Sequence, residues 1–311
     1  MKRAIALLAG LALFAAACGD DDPATDTTDS VPTDTVPTDS VPADTADTAD
    51  SGDEPTVERI VSLSPTATEI LFAIGAGERV VAVDQFSNHP AEAPFSDLDG
   101  FTVNVEAVAA YEPQLVIMQS NQASAELEAL GIEVIVQDSP ADIDGIYAQI
   151  EQIGAATGDI AGAAEVVLDM QTRLAELIAE APSADGMTYY HELGTDYYSL
   201  NSESFVAQIY ALFGLETIGD QADGEAFAGY LPLSEEFILG ADPDLIFLAD
   251  TIYAGQTAET VAARPGWSDL SAVRNGAVIE LDDDIASRWG PRVVEFAEAI
   301  AAALTLVSAP A

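Results

Sequence analysis

An α/β fold is expected from this sequence: two similar parallel-sheet lobes joined by one long α-helix, with a cleft between them. Three observations point there. From Arg59 to Pro90, short runs rich in β-branched residues flank an apolar helical run, the pattern of a strand–helix–strand unit with parallel strands. Residues 111–117, Tyr-Glu-Pro-Gln-Leu-Val-Ile, are echoed by residues 241–247, Ala-Asp-Pro-Asp-Leu-Ile-Phe; each is a helix end, an acidic–proline break and a buried strand. Between the halves, Ile160, Ala164, Val167, Leu168, Leu174, Leu177 and Ile178 fall at helical spacing. The helix from Asp159 to Glu180 would be roughly 33 Å long.

In the opening unit, Arg59 to Leu63 reads as a buried strand. Ser64 and Pro65 suit the N-cap and first position of the following helix, and Thr66 with Glu69 offers an alternative capping box. Ile70, Leu71, Phe72 and Ile74 form its apolar face, and Gly75 and Gly77 end it. Arg79 to Val83 is the second strand. The residues after the two strands, Ser64-Pro65-Thr66 and Gln85 to His89, emerge at one sheet edge, where ligands of open α/β sheets bind. Pro94 to Gly100 reads as a turn-rich loop. A short helix ends near Tyr111, and Leu115 to Met118 is a strand followed by Gln119 to Gln122. A helix over Ala125–Leu130, a strand over Ile132–Val136 and a helix over Asp142–Thr157 complete the first half. A second set of β/α units begins at Met187, and the last helix spans Val293–Leu306.

The chain has 311 residues, 54 acidic against 9 basic, for a net charge of −45. That balance argues against binding nucleic-acid phosphates or an anionic lipid surface. The hydrophobic fraction of 49% supplies a packed core. One cysteine, Cys18, excludes an internal disulfide.

Residues 1–17 read as a signal peptide: Lys2 and Arg3 precede an Ala/Leu-rich run too short to span a bilayer. The run ends in small residues directly before Cys18, as in a bacterial lipoprotein cleavage box. Cys18 is then the lipidated N-terminus, and the protein is extracytoplasmic and held to the cell membrane through that lipid alone. Residues 18–56 repeat Thr, Asp, Ser, Val and Pro; so little apolar surface predicts a disordered stalk. The folded body divides into residues 57–158, the linking helix 159–181, and residues 182–311.

The motif Ser64-Pro65 with Thr68-Glu69, the apolar helix ending in glycine, Val81-Ala82-Val83 and His89-Pro90 together resemble the start of the cobalamin- and iron-complex-binding proteins of ABC importers. The resemblance covers Val57 to the C-terminus. It implies two Rossmann-like lobes joined by one rigid α-helix that permits little closure. It also implies no enzymatic activity, a monomer, and partnership with ABC permease and ATPase subunits. Glu106 and Glu236 match by position the glutamates with which such proteins dock onto the permease. The ligand implied is a cobalamin-type corrinoid; the alternatives are a ferric siderophore or heme.

Loops after strands nominate the ligand-binding residues: Ser64, Pro65, Thr66, Phe86, Ser87, Asn88, His89, Gln119, Asn121, Tyr253, Trp267, Arg288, Trp289 and Arg292. Aromatic faces suit a rigid macrocycle. Arg288 and Arg292 are suited to a ligand's amide or carboxylate arms, or to an internal pairing with Asp282-Asp283-Asp284. Tyr189 is expected in the core. His89 and His191, the only two histidines, raise a metal-assisted hydrolase if they converge with Glu192. Metal ligands are not expected, because zinc sites take three or four protein donors and relatives that bind metal directly carry more histidines. No cofactor is expected beyond the transported ligand, and no Gly-x-Ser-x-Gly elbow, P-loop or GxGxxG is present.

Overall fold

A computed structural model describes residues 57–308. The readings made for residues 1–56 (signal peptide, Cys18 and stalk) and for residues 309–311 lie outside the described residues.

The first lobe runs β1 (Ile60–Leu63), α1 (Pro65–Ala73), β2 (Val80–Asp84), β3 (Phe95–Leu98), α2 (Val105–Ala109), β4 (Leu115–Met118), α3 (Ser124–Ala129), β5 (Glu133–Val136) and α4 (Ile143–Thr157). Its sheet is fully parallel in the order β3-β2-β1-β4-β5. The linking helix α5 spans Ile160–Glu180. The second lobe runs β6 (Thr188–Glu192), β7 (Tyr198–Leu200), α6 (Phe205–Ala211), β8 (Glu216–Thr217), β9 (Tyr230–Pro232), α7 (Glu235–Ala241), β10 (Leu245–Leu248), α8 (Ala258–Ala262), α9 (Ser271–Arg274), β11 (Val278–Glu280), α10 (Asp283–Ser287) and α11 (Val293–Ser308). Its main sheet is parallel in the order β11-β10-β6-β8, and β7 pairs with β9 antiparallel.

Local chemistry explains the opening unit. Ser64 caps α1 by accepting from the Ala67 N–H at 3.3 Å, with Pro65 in the first turn, so Ser64 rather than Thr66 is the cap. Residues 94–100 depart from expectation: they contain β3, which joins the sheet beside β2. Only Leu98 of that strand is buried, so no apolar run betrays it. The Ser96 hydroxyl donates to the Val83 carbonyl at 2.5 Å and pins this edge.

The echoed segments perform the same task in each lobe. Glu112 and Asp242 both take left-handed backbone conformations, with φ of 49° and 44°. Two residues on, Gln114 Oε1 accepts from the Glu58 and Arg59 N–H groups, and Asp244 Oδ2 accepts from the Thr188 N–H. Each therefore ties the start of one central strand to the start of its neighbour.

The linking helix buries Ala163, Val167, Met170 and Leu174 and leaves Ile160 and Leu168 exposed. It is fastened at its start and again along its length. Arg79 pairs with Asp159 and donates to the Thr157 carbonyl at 2.7 Å, and Arg173 pairs with Glu298 of α11. At Gly162 a Cβ would lie 2.1 Å from the Ile74 carbonyl oxygen, so only glycine lets α5 approach the end of α1. One apolar cluster is continuous from Ile70 and Ile153 through Met170 to Ile209, Tyr210 and Ile300, joining both lobes on the linker side.

Candidate ligand-binding cleft

In each sheet the chain reverses its direction of strand addition between two central strands, β1 and β4 in the first lobe and β6 and β10 in the second. Loops leaving the carboxyl ends of such a pair diverge and leave a crevice. Pro65 and Thr66 follow β1, Gln119 follows β4, and Tyr253 lies in the loop after β10. With Phe86, Phe101, Asp284, Ser287 and Arg288 they line one open cleft of about 380 Å³.

The walls are aromatic and come from both lobes. Phe86 and Phe101 meet edge to face, their ring centres 5.3 Å apart. Tyr253 is 73% exposed and stands opposite from the second lobe; its hydroxyl donates to Asp284 Oδ1 at 3.1 Å. Asp283, itself buried, holds the loop that carries Tyr253. Its carboxylate accepts from the N–H groups of Thr251, Ile252 and Tyr253 and from the Thr251 hydroxyl. Asp282 caps α10, so three consecutive aspartates cap the helix, clamp the loop and orient the tyrosine.

The lobes are also bridged beside the cleft. Glu69 of α1 is buried and accepts from Arg292 Nη2 at 2.7 Å and Nε at 3.1 Å, and from Arg288 Nη1 at 3.0 Å. Arg288 also pairs with Asp284 at 2.8 Å and donates to Asn88 Oδ1 and the Phe86 carbonyl. Asn88 Nδ2 in turn donates to Asp284 Oδ2 at 2.7 Å. The arginines therefore do not stand free to grip a ligand: both face Glu69, and Asp284 is the only one of the three aspartates paired with either.

Of the residues nominated from sequence, Pro65, Thr66, Phe86, Gln119, Tyr253 and Arg288 meet in this cleft. Ser64 is the buried helix cap. Ser87 lies in a buried chain in which the Thr68 hydroxyl donates to Ser87 and the Ser87 hydroxyl donates to Asp84. Asn88 and Arg292 serve the inter-lobe bridge. His89 is exposed and lines a separate depression with Phe72, Pro90 and Arg292. Asn121 is exposed in the turn that starts α3, its carbonyl accepting from Ser124. Trp289 is half-buried against the main core.

Trp267 is the clearest correction. It is fully buried, stacked on Tyr197 at 5.9 Å, beneath the Arg264 guanidinium at 4.6 Å, and its Nε1 donates to Glu235 at 3.0 Å. Its position after Gly266 mimics a loop residue, but the indole fills the second lobe's core. Phe101, Asp284 and Ser287 also line the cleft and were not nominated as ligand-binding residues; Phe101 is the aromatic one among them. Phe101 lies three residues beyond the end of β3, so its signal was lost with that strand.

These features, two parallel-sheet lobes around one rigid helix with an aromatic cleft at the switch points, agree with a family-model match over residues 25–285. The chain belongs to the periplasmic binding protein family. An uncharacterized ABC transporter substrate-binding lipoprotein of Bacillus subtilis is 29% identical over 97% of both chains. A cobalamin-binding protein of Halobacterium salinarum is 31% identical over 81% of this chain and 69% of its own length. The structure of the periplasmic vitamin B12-binding protein of Vibrio cholerae has a TM-score of 0.67 at 26% identity, covering 82% of this chain and 99% of that one. The same organism's periplasmic heme-binding protein has a TM-score of 0.69 at 23% identity, covering 81% and 99%, a likeness of fold.

In this binding protein the metal-assisted alternative loses its residues. His191 is fully buried, and burial pushes its imidazole down to about 3, so it is neutral. Its Nδ1 lies 2.8 Å from the Tyr210 hydroxyl. Glu192 is engaged at both oxygens by Arg264, each at 2.6 Å. Neither shares a site with exposed His89, and no group of three or more metal-ligating side chains converges among the described residues. Tyr189 is in the core as expected, stacked on Tyr210 at 4.0 Å.

Beside Glu192 stands a second acid with no such partner. Parallel β6 and β10 end with Glu192 opposite Leu248, and Asp250 follows. Asp250 is 3% exposed, no N–H or hydroxyl donor reaches either carboxylate oxygen, and its one hydrogen-bonding neighbour is the carboxylate of Glu192, to which only a protonated Asp250 can donate. Burial first, then the charges of Glu192 and Asp283, push its carboxyl up to about 7.

Proposed function

We propose that this protein is the lipid-anchored solute-binding subunit of an ABC importer and that its ligand is a cobalamin-type corrinoid. The observation that carries the reading is the cleft itself. Aromatic faces from both lobes, Phe86 and Phe101 on one side and Tyr253 on the other, surround a few neutral hydrogen-bonding groups, Thr66, Gln119 and Ser287. Flat faces with few rotamers to freeze suit a rigid macrocycle, and the neutral groups suit its amide side chains. A ligand larger than the cleft's 380 Å³ projects through its open mouth. No bond is made or broken; the protein captures its ligand and hands it on. The cobalamin and vitamin B12 relatives support the corrinoid, and the heme-binding relative keeps heme as the second reading.

Glu106 and Glu236 support the importer assignment. Each is exposed at the second position of a short helix, α2 or α7, that follows an Asn104 or Ser234 cap and precedes the echoed acidic–proline break. In this reading the equivalent glutamates on the two lobes meet two equivalent permease sites. Anchoring is through Cys18, and the working unit in this reading is one protomer.

The test is a titration of purified protein by calorimetry and thermal shift against cyanocobalamin, dicyanocobinamide, hemin, ferric siderophores and zinc. Tight binding to the native state raises its melting temperature by mass action. A response to the corrinoids alone is the expected result. A response to hemin or a siderophore alone replaces the ligand and keeps the class, and a response to zinc alone overturns both.

A further inference from the structure

The charges beside the cleft cancel within the protein. Arg288 and Arg292 bring two positive charges; Glu69 and Asp284 bring two negative ones, all four within ion-pair distance of a partner. Glu69 is the pivot, because it is buried and holds both guanidiniums at once. Arg288 lines the cleft, whereas Glu69 is not among the lining residues and reaches it only through that arginine. These four charges sum to zero, in a chain whose net charge is −45.

We infer that Glu69 is a specificity-determining residue: by neutralising Arg288 and Arg292 it makes the cleft favour ligands with uncharged amide arms over ligands with carboxylate arms. The inference rests on this cleft being the ligand site and deepens the corrinoid reading. A carboxylate arm entering the cleft must compete with Glu69 and Asp284 for guanidinium groups already satisfied. An amide arm forfeits nothing by leaving those pairs intact. Glu69→Gln removes one negative charge and leaves a net positive site. Arg292→Gln removes one positive charge and leaves a net negative site. Both weaken the bridge between the lobes, but they change the local charge in opposite directions. A purely structural role for Glu69 predicts that both variants shift all ligands the same way.

The experiment measures affinities of the full-length wild type, Glu69→Gln and Arg292→Gln for cyanocobalamin and for the monocarboxylic acid made by hydrolysing one of its side amides. Hemin is run as an anionic ligand outside the corrinoid class. The wild type is expected to prefer the amide form. Glu69→Gln should shift the amide-to-acid ratio about tenfold toward the acid, the scale of one unit charge at a partly solvated site. Arg292→Gln should shift it the other way. Equal shifts for both ligands in both variants, or an unchanged ratio, overturn the inference. If the wild type binds no corrinoid, the corrinoid reading falls, and hemin decides the inference alone. Tighter hemin binding by Glu69→Gln with weaker binding by Arg292→Gln sustains it, and no difference between the two overturns it. Absence of binding by all three proteins to every ligand removes the inference together with the cleft assignment.

Discussion

Replacing Asp250 by asparagine should make the protein more stable above neutral pH. Four ionisable side chains face Asp250: Glu192 and Tyr190 from β6, Asp283 from α10, and Arg264 beyond α8. Arg264 is already spent on both oxygens of Glu192 and on Gln256. The cluster thus holds more negative than positive charge, in a place water does not reach, and burial with Glu192 and Asp283 raises Asp250 from 3.8 to about 7. The sign follows from linkage. A carboxyl whose folded value lies above its unfolded value binds its proton more tightly when native, so its contribution is complete below about pH 4 and lost once pH has risen past 7. A shift of this size corresponds to about 4 kcal/mol. Because Glu192 shares the cost, the single substitution should recover roughly half of that, near 2 kcal/mol.

Asparagine keeps the shape and cannot ionise. At pH 8, Asp250→Asn should therefore melt about 5 °C above the wild type, on the scale of a few degrees per kcal/mol for a body of this size. At pH 4.5 the two should nearly converge. Calorimetric melts of both proteins at pH 4.5, 6, 7 and 8 give the difference directly and cancel the titration of every other acid. Parallel pH profiles, or a variant no more stable than the wild type at pH 8, would refute a buried, proton-holding Asp250 with no cation of its own.

Trp267→Ala should cost about 3–5 kcal/mol, the range for a large buried aromatic, measured as a lowered denaturant midpoint; a loss below 1 kcal/mol would restore Trp267 to the cleft. Tyr253→Ala should weaken cyanocobalamin about tenfold with little change in melting temperature, since the ring is 73% exposed, and an unchanged Kd would move the site elsewhere. Gly162→Ala should destabilise by about 1–3 kcal/mol because its methyl would meet the Ile74 carbonyl; a neutral melt would contradict the tight α5–α1 contact. Glu106→Arg together with Glu236→Arg should leave ligand affinity intact and abolish ligand uptake by cells, and full uptake would remove the docking assignment.

Legibility followed burial. β1, β4 and β10 are buried along their whole length and read plainly as apolar runs, and the acidic–proline breaks before β4 and β10 marked the repeat. β3 presents Phe95, Ser96 and Asp97 largely to solvent, so periodicity had nothing to detect, and Phe101 went unseen with it. The loops after β1 and β4 supplied true cleft residues because a parallel sheet sends those ends to one edge. What spacing cannot carry is partnership across the fold. Glu69 is 219 residues from Arg288 and 223 from Arg292. From sequence Glu69 looks like a capping-box residue, and the arginines look like ligand anchors. Only the folded chain shows that each answers the other.

That pairing also bears on how the lobes can move. On the linker side they share one apolar core, and the helix between them is held by Arg79 at one end and Arg173 along its length. On the cleft side the tie is polar: Glu69 with two arginines, and Asn88 with Asp284. A hinge needs one side free, and here the apolar side cannot shear without opening a close-packed interior. Even the loop bearing Tyr253 is held, by Asp283 through three backbone N–H groups, which leaves motion mainly to side chains such as the exposed Tyr253 ring. Discrimination in such a protein must be built before the ligand arrives. In the proposed reading, preformed aromatic walls and a cancelled charge set provide that, because a cleft with little freedom to close cannot correct a poor match after binding.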